Sequence, residues 1–200
     1  GYLRQVKTVC EKHNIVLILD EIQTGLGRTG KLLAEEHDGI EADLTLVGKA
    51  LSGGFYPVSA VLSNTEVMSV LQPGEHGSTF GGNPLACAVA NASIDLLLAS
   101  PWQQRVSAIE AQMNSELAPC AGFDCVADVR VKGAIGVVEL KEPVDMGWIQ
   151  PRLGELGVWI RPFGRLLYVM PPFIIKADEL SKLTRAMTTV VGEIETANYG

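Results

Sequence analysis

The amino-acid sequence predicts an α/β fold in which a mostly parallel sheet is followed by a smaller α+β domain. Two apolar runs, residues 15–19 and 44–47, have the length and composition of buried strands. Helical patterns alternate with these runs, and helix followed by strand, repeated, is typical of a parallel sheet. Beyond a proline- and glycine-containing boundary at residues 119–122, short strands and helices are mixed, which predicts the second domain.

Apolar spacing and chain-breaking residues predict the elements of the first part. Apolar residues recur at helical spacing over residues 2–13, and a glycine- and threonine-rich loop is expected at 21–31. The pair Asn83 and Pro84 starts a helix well, because asparagine caps and proline suits the first helical position. The other elements expected here are a short helix near 32–37, a strand at 57–62, a polar loop at 72–83 and helices ending near 98 and spanning 102–117.

The second part is predicted to combine short strands with two helices. The strands are expected at residues 126–131, 134–140, 158–160 and 166–170, and the helices near 146–156 and 177–196. The last helix carries its apolar side chains on one stripe, which predicts that this stripe faces a core.

Composition and charge exclude several classes of function. A net charge of −7 over 200 residues argues against nucleic acid and against an anionic membrane surface as partners. The uncharged apolar stretches are shorter than the roughly 20 residues that a membrane-spanning helix needs. The four cysteines form no CxxC pair and the three histidines are scattered, so neither a disulfide framework nor a metal site is predicted.

Two ionisable residues close the two apolar runs. Asp20 follows the first run, and Lys49 follows the second. In open α/β sheets ligands bind outside the carboxyl ends of the strands, so we expect this carboxylate and this amine at one crevice. A pyridoxal phosphate enzyme needs such a pair, because a lysine forms the Schiff base and an aspartate pairs with the ring nitrogen. Taken singly, each residue has an alternative: a turn-capping aspartate and a surface lysine.

Residues 25–30 match GxGxxG, the dinucleotide-binding fingerprint. That motif should follow its strand directly and should precede an acidic residue at the end of a second strand. Here Asp20 to Thr24 intervene, and the second strand ends in Gly48 and Lys49. The pattern therefore argues against a nicotinamide or flavin site.

Five other polar residues are candidates for ligand contacts. Ser78 and Thr79 precede a helix start and form a ready phosphate site, or an ordinary polar loop. Arg161 suits a substrate carboxylate with Tyr168 nearby, although a surface arginine and a core tyrosine would fit the spacing equally well. Gln23 is placed either to donate to a ring oxygen or to be solvated.

Three segments together resemble class III aminotransferases of the fold-type I pyridoxal phosphate superfamily. They are LDEIQTG at residues 19–25, GRTG at 27–30 and GKALSGG at 48–54. The resemblance covers essentially the whole chain, but only the later half to two-thirds of a typical family member. It implies that residues 1–98 form the latter part of the cofactor-binding large domain, 99–118 a connecting helix and 119–200 the small C-terminal domain.

The resemblance also implies roles for the candidate residues. Lys49 would hold the cofactor covalently and move a proton between substrate carbon and cofactor, Asp20 would pair with the pyridinium nitrogen, and Gln23 would approach the ring oxygen. Thr79, beside Ser78, would bind the cofactor phosphate of a neighbouring subunit, which implies a homodimer with shared sites. Arg161 would hold the substrate carboxylate.

The resemblance divides between two kinds of relative. Residues 1–83 resemble ornithine δ-aminotransferase, and the chain from residue 83 onward resembles diaminopelargonic acid synthase of biotin synthesis. Tyr168 lies where ornithine aminotransferases carry an arginine, which favours conversion of 7-keto-8-aminopelargonate with S-adenosylmethionine as amino donor. Ornithine with a 2-oxo acid is the alternative.

A rival expectation from another class is a catalytically silent fragment. The family's earlier segment supplies a phosphate loop, a ring-stacking aromatic residue and the first strands of the sheet, and none of these is in the 200 residues. The expected compartment is the cytoplasm, with the mitochondrial matrix as the alternative if a longer protein carried a transit peptide.

Overall fold

Two three-stranded sheets, one in each half of the chain, organise the computed structural model, which describes residues 1–198. The chain divides into two units between Gln103 and Gln104. This division falls inside the segment expected to connect two domains, residues 99–118. The precise domain bounds stay a prediction.

The sheet of the first unit has the order β1-β2-β3. Strands β1 and β2 are parallel, with Asp20 opposite Leu46, and β3 runs antiparallel to β2. The strands are Ile18–Asp20 (β1), Leu44–Val47 (β2) and Ala60–Ser63 (β3). The helices are α1 (Tyr2–Lys12), α2 (Thr65–Met68) and α3 (Pro84–Ala99), with 3₁₀ helices at Ala34–His37 and Lys49–Ser52.

The start of β1 differs from the sequence prediction because Ile15, the first residue of the apolar run, is part of the hydrogen-bonded C-terminal end of α1. Asn14 adopts a left-handed conformation with φ 53°. The Ile15 N–H donates to the Cys10 carbonyl at 2.8 Å, and the Asn14 N–H donates to Glu11 at 3.3 Å. This is the bonding pattern of a Schellman motif. The strand therefore begins at Ile18, not at Ile15.

The core of the first unit lies between its sheet and α3. It contains Leu26, Val47, Leu51 and Ala90, with Ile94 among the partly buried residues packed against them. The other face of the sheet is more open. On that face Ile18 of β1 is 56% exposed and Val61 of β3 is 54% exposed. The expectation that the first apolar run is buried is therefore wrong for most of its residues.

The second unit contains an antiparallel sheet of order β4-β5-β6. Its strands are Val126–Lys132 (β4), Ile135–Leu140 (β5) and Leu166–Val169 (β6). Its helices are α4 (Trp102–Leu117), which begins two residues before the division, α5 (Met146–Glu155) and α6 (Ala177–Asn198), with a 3₁₀ helix at Ala118–Gly122. The core is built from fully buried side chains of these elements, among them Met113, Leu117, Ile149, Leu153, Leu167, Met187 and Val191.

The strand expected at residues 158–160 is wrong. Here α5 ends in a second Schellman motif, in which Gly157 has φ 73° and the Val158 N–H donates to the Leu153 carbonyl at 3.1 Å. Val158 and Ile160 are buried and the residue between them is exposed, which is the alternation of a strand. Within residues 1–198, however, this segment pairs with no strand.

The strand Leu44–Val47 and the helix Trp102–Leu117 are present with the predicted bounds, and the other predicted elements are present with shifted ends. The largest shifts are at the starts of β1 and β3, the latter predicted from residue 57 and observed from Ala60. Over the described part of the chain, no single helix is both long and apolar enough to cross a membrane. The bent pair Pro84–Ala99 and Trp102–Gly122, taken together, has the length and composition of a membrane span, and nothing else in residues 1–198 supports that interpretation.

Candidate active site

The two strand-end residues of the sequence prediction lie at one edge of the first sheet. Asp20 is the last residue of β1, and Lys49 follows β2 after Gly48. Because β1 and β2 are parallel, their carboxyl ends reach the same edge. The Glu21 N–H donates to the Leu46 carbonyl at 2.9 Å, which extends the pairing one residue beyond β1. The residues that carry the carboxylate and the amine therefore lie at the same edge of the sheet.

The backbone of Lys49 is in the left-handed region, with φ 45°. Residues with a Cβ adopt this conformation rarely, and they keep it where the surroundings enforce it. Contacts that hold the backbone in this conformation are present next to Lys49 in the chain. Leu51 is buried in the core and its N–H donates to the Gly48 carbonyl at 3.0 Å, while the Ser93 hydroxyl of α3 donates to the Ala50 carbonyl at the same distance.

A carboxylate, an amide and an amine lie at this edge, all three residues are exposed, and the amide and the amine are in contact. The Lys49 Nζ donates to the Gln23 Oε1 at 3.2 Å. The Asp20 Oδ1 accepts the Ile22 N–H at 3.0 Å, which folds the chain into a turn directly after β1. The structure thus brings together three of the seven predicted site residues.

Sequence reasoning missed a buried carboxylate between two of these residues. Glu21 is 3% exposed and accepts three hydrogen bonds: from the Ala34 N–H at 2.6 Å, the Glu35 N–H at 2.8 Å and the Thr24 hydroxyl at 3.1 Å. One signal was available. Side chains alternate along a strand, so an exposed Asp20 directs Glu21 inward, where a charge needs donors.

A second buried carboxylate continues this network toward β2. Glu35 is 6% exposed, and its Oε2 accepts the Ala42 N–H at 2.9 Å and the Thr45 hydroxyl at 3.4 Å. Thr45 belongs to β2. The two glutamates therefore tie the long connection between β1 and β2 back onto the sheet.

The GxGxxG segment is part of this connection and forms turns. Leu26, Gly27 and Gly30 have φ values of 54°, 92° and 94°. The Thr29 carbonyl and hydroxyl lie 3.0 and 3.1 Å from the His37 Nε2. A dinucleotide fingerprint would open a helix at this point, whereas the next helical residues here form a short 3₁₀ helix at Ala34–His37.

Ser78 and Thr79 lie in an exposed loop of the first unit. The Gly81 N–H donates to the Ser78 carbonyl at 2.9 Å, which makes a turn before α3. Asn83 caps that helix by accepting the Leu85 N–H at 2.9 Å, as the sequence predicts. The two hydroxyl residues are therefore accessible to a ligand or to another subunit.

Arg161 and Tyr168 belong to the second unit, whereas Asp20, Gln23 and Lys49 belong to the first. Arg161 is exposed and lies between buried Ile160 and Pro162, so its side chain points away from the core of its unit. Tyr168 is half-buried on β6, opposite Val137 of β5. Among residues 1–198, no group of three or more His, Cys, Asp or Glu side chains is arranged to hold a metal ion.

Comparison with known proteins adds a family likeness to this geometry. The family described as aminotransferase class-III matches residues 1–191. The adenosylmethionine-8-amino-7-oxononanoate aminotransferase of Mycobacterium leprae is 43% identical over 196 residues, 96% of this chain and 45% of that protein. The ornithine aminotransferase of Bordetella pertussis is 50% identical over 184 residues, 90% of this chain and 44% of that protein.

A solved structure gives the same result in three dimensions. The ornithine aminotransferase of Toxoplasma gondii, described with partial occupancy of pyridoxal phosphate at its active site, superimposes with a TM-score of 0.90 at 37% identity. The match covers 100% of this chain and 48% of that one. This chain spans about half the length of the curated relatives it matches. The predicted fold class and the resemblance stated from the sequence are both confirmed.

Proposed function

Because this chain belongs to the class III aminotransferase family, we propose that it carries the lysine-bearing portion of a pyridoxal phosphate-dependent transamination site. One observation supports the proposal above others. Asp20, Gln23 and Lys49 end up at one edge of the β1–β2 pair, with the amine of Lys49 in contact with the amide of Gln23 at 3.2 Å.

The chemistry of these side chains fits pyridoxal phosphate. Asp20 offers a carboxylate for the ring nitrogen, Lys49 an amine for the aldehyde, and Gln23 an amide for the ring oxygen. An amide both accepts and donates hydrogen bonds, and the Oε1 of Gln23 accepts from Lys49. When bound, the cofactor supplies an electron sink for charge that develops on the substrate carbon.

Each residue has a separate task in this proposal. Asp20 holds a proton on the ring nitrogen, and its own orientation is set by the bond from the Ile22 N–H at 3.0 Å. Lys49 anchors the cofactor and carries a proton to or from the substrate carbon. Gln23 orients the ring through its oxygen. Ser78 and Thr79, which are exposed before α3, bind the phosphate group of the cofactor that is held by the neighbouring subunit of a homodimer.

The favoured substrate pair is 7-keto-8-aminopelargonate with S-adenosylmethionine. Two features support it: the exposed Arg161, suited to a carboxylate, and a tyrosine at position 168 in place of an arginine. The relative from M. leprae carries the corresponding name. Ornithine with a 2-oxo acid is the second candidate, supported by the 50% identical relative from B. pertussis.

We also propose a reducing compartment, the cytoplasm. All four cysteines are free. The mitochondrial matrix is the alternative, since the ornithine aminotransferase of Rattus norvegicus is named as mitochondrial.

A silent fragment is the second candidate of a different class. The observation that favours it is the exposed apolar face on β1 and β3, because a sheet face of this kind is ordinarily covered. In that case the chain would contribute packing surfaces and no catalysis.

Titration with pyridoxal phosphate separates the two candidates. We expect the purified chain to develop the visible absorption band of a lysine-bound cofactor, and Lys49→Ala to abolish it. Lys31→Ala, which removes an exposed lysine of the same unit, is the matched control and should keep the band. An unchanged band in Lys49→Ala would contradict the proposed site. For the substrate, conversion of the bound cofactor by ornithine and not by S-adenosylmethionine would overturn the favoured pair.

A further inference from the structure

We infer that Glu21 is a positioning residue: its buried carboxylate fixes the turn that carries Asp20 and Gln23 beside Lys49. The inference rests on the proposed function for what this edge does, and it adds a residue whose side chain points away from the edge.

The hydrogen bonds of Glu21 use both carboxylate oxygens. The Oε2 accepts from the Ala34 N–H at 2.6 Å and from the Thr24 hydroxyl at 3.1 Å, and the Oε1 accepts from the Glu35 N–H at 2.8 Å. Bonds from backbone N–H groups to an ionised acceptor are short and strong. At 3% exposure, water is no substitute for these donors.

The main chain of Glu21 is fixed as well. Its N–H donates to the Leu46 carbonyl of β2, and its carbonyl accepts the Gly25 N–H, both at 2.9 Å. A Cβ at position 25 would lie 2.8 Å from that carbonyl oxygen, so the turn needs a glycine there. Hydrogen bonds therefore fix both the side chain and the backbone of Glu21. This residue lies between Asp20 and the turn that contains Gln23.

The groups that hold Glu21 are themselves anchored to β2. The backbone N–H of Glu35 donates to the Glu21 carboxylate. The Glu35 carboxylate in turn accepts from the Ala42 N–H and the Thr45 hydroxyl. Thr45 lies on the strand that leads to Lys49. A continuous set of hydrogen bonds therefore links the turn after β1 to the strand that carries the amine.

A neutral amide cannot replace this carboxylate without loss. Both oxygens face backbone N–H donors, so the NH₂ group of a glutamine would face either the Ala34 or the Glu35 N–H, donor against donor. Glu21→Gln keeps the size of the side chain and removes one of its anchors. It is therefore the informative substitution.

The test measures whether Lys49 and Gln23 still contact one another, and it needs no cofactor. In the wild-type chain, Lys49→Met should shift the NMR signal of the Gln23 side-chain amide, because the two groups are 3.2 Å apart. In the Glu21→Gln background we expect that shift to fall to less than half. Two control backgrounds should keep it in full: Glu41→Gln, which neutralises an exposed glutamate of the same unit, and Ile94→Ala, which loosens the core instead.

A full shift in Glu21→Gln would overturn the inference, as would an equal loss in Ile94→Ala. If Glu21→Gln does not fold, Thr24→Val replaces it, since this change removes a single donor to the carboxylate. A partial loss of the shift is then expected, and an unchanged shift overturns the inference.

A second measurement keeps this inference distinct from the proposed function. The Kd for pyridoxal phosphate should rise by about tenfold in Glu21→Gln and stay unchanged in Glu41→Gln, because a misplaced contact weakens binding. If the wild-type chain binds no cofactor, the proposed function fails, while the NMR measurement still decides the role of Glu21.

Discussion

At the scale of single residues, the site depends on backbone conformations that a residue type makes easy or difficult. Lys49 has a positive φ, which is uncommon outside glycine, and its neighbours on both sides are held by the core and by α3. The backbone conformation of Lys49 sets the direction in which its Cα–Cβ bond leaves the end of the strand. We interpret this conformation as part of how the amine is aimed.

The strain at Lys49 can be measured as stability. Lys49→Gly should be more stable than Lys49→Ala by about 1 kcal/mol, because both remove the amine but only glycine adopts a positive φ without a Cβ clash. Lys12, in the last turn of α1, provides the control, where Gly should be less stable than Ala. Urea unfolding of the four variants measures these differences, and the same sign at both positions would contradict the strain.

Gly25 is the second residue whose type is dictated by its surroundings. Gly25→Ala should lower the free energy of unfolding by about 1–3 kcal/mol, because the new Cβ would lie 2.8 Å from the Glu21 carbonyl oxygen. Gly77→Ala should change it by less than about 0.5 kcal/mol, since nothing lies within 4 Å of a Cβ at that position. Equal effects in thermal unfolding would count against the close approach.

At the scale of elements, β2 is the strand on which the first unit is assembled. It pairs with β1 and β3, and the hydroxyl of its Thr45 donates to the Glu35 carboxylate. Asp43 lies directly before it. The Asp43 carboxylate accepts the Leu17 N–H at 2.7 Å and the Lys7 amine of α1 at 2.9 Å. The hydrogen bond from Leu17 and the neighbouring Lys7 lower the pKa of Asp43. This residue therefore joins α1, β1 and β2.

The stabilising effect of Asp43 should depend on pH. Its pKa is lower in the folded than in the unfolded chain, so its contribution is complete above the unfolded value near 3.9 and is lost as pH falls through the folded value. Asp43→Asn should lower the free energy of unfolding by about 1–3 kcal/mol at pH 7 and by less in strong acid. Asp95→Asn, on the exposed side of α3, is the control. A difference that stays constant between pH 7 and strong acid would contradict this role.

The elements that could be predicted are those whose signals are local. The strand Leu44–Val47 follows from its apolar run, and the start of α3 follows from Asn83 and Pro84. The start of β1 and the segment after α5 could not be predicted, because both depend on left-handed helix ends at Asn14 and Gly157. Apolar alternation does not distinguish a strand from the chain that leaves such an end.

The candidate site divides in the same way. Asp20 and Lys49 could be placed from sequence because each closes an apolar run, and parallel strands end at one edge. The inward direction of Glu21 could be inferred from strand alternation, but most of the hydrogen-bond partners of Glu21 and Glu35 could not, because they include backbone N–H groups 7 to 14 residues away. Local sequence carries no record of such bonds.

At the scale of the whole molecule, the chain consists of two units, each with its own sheet and core. The first unit leaves Val16 and Ile18 of its edge region 54% and 56% exposed. Unpaired apolar strand edges promote association between molecules. The chain also spans about half the length of its curated relatives.

Replacing this exposed apolar surface should reduce association without loss of stability. The double variant Val16→Thr and Ile18→Thr keeps β-branched side chains, so we expect weaker binding of a hydrophobic dye and less self-association, with Tm unchanged. Leu17→Thr is the contrast, because Leu17 is 7% exposed and its loss should lower Tm. Sedimentation at increasing concentration and thermal unfolding measure both effects. A lower Tm in the double variant would mean that these residues are buried in solution.

The most direct test of the central claim identifies the lysine that carries the cofactor. The chain is incubated with pyridoxal phosphate, reduced with borohydride and analysed by peptide mass spectrometry. We predict a single modified peptide, the one that contains Lys49. Modification spread over exposed lysines such as Lys12 and Lys31, or its absence from Lys49, would contradict the assignment of this strand edge as a pyridoxal phosphate site.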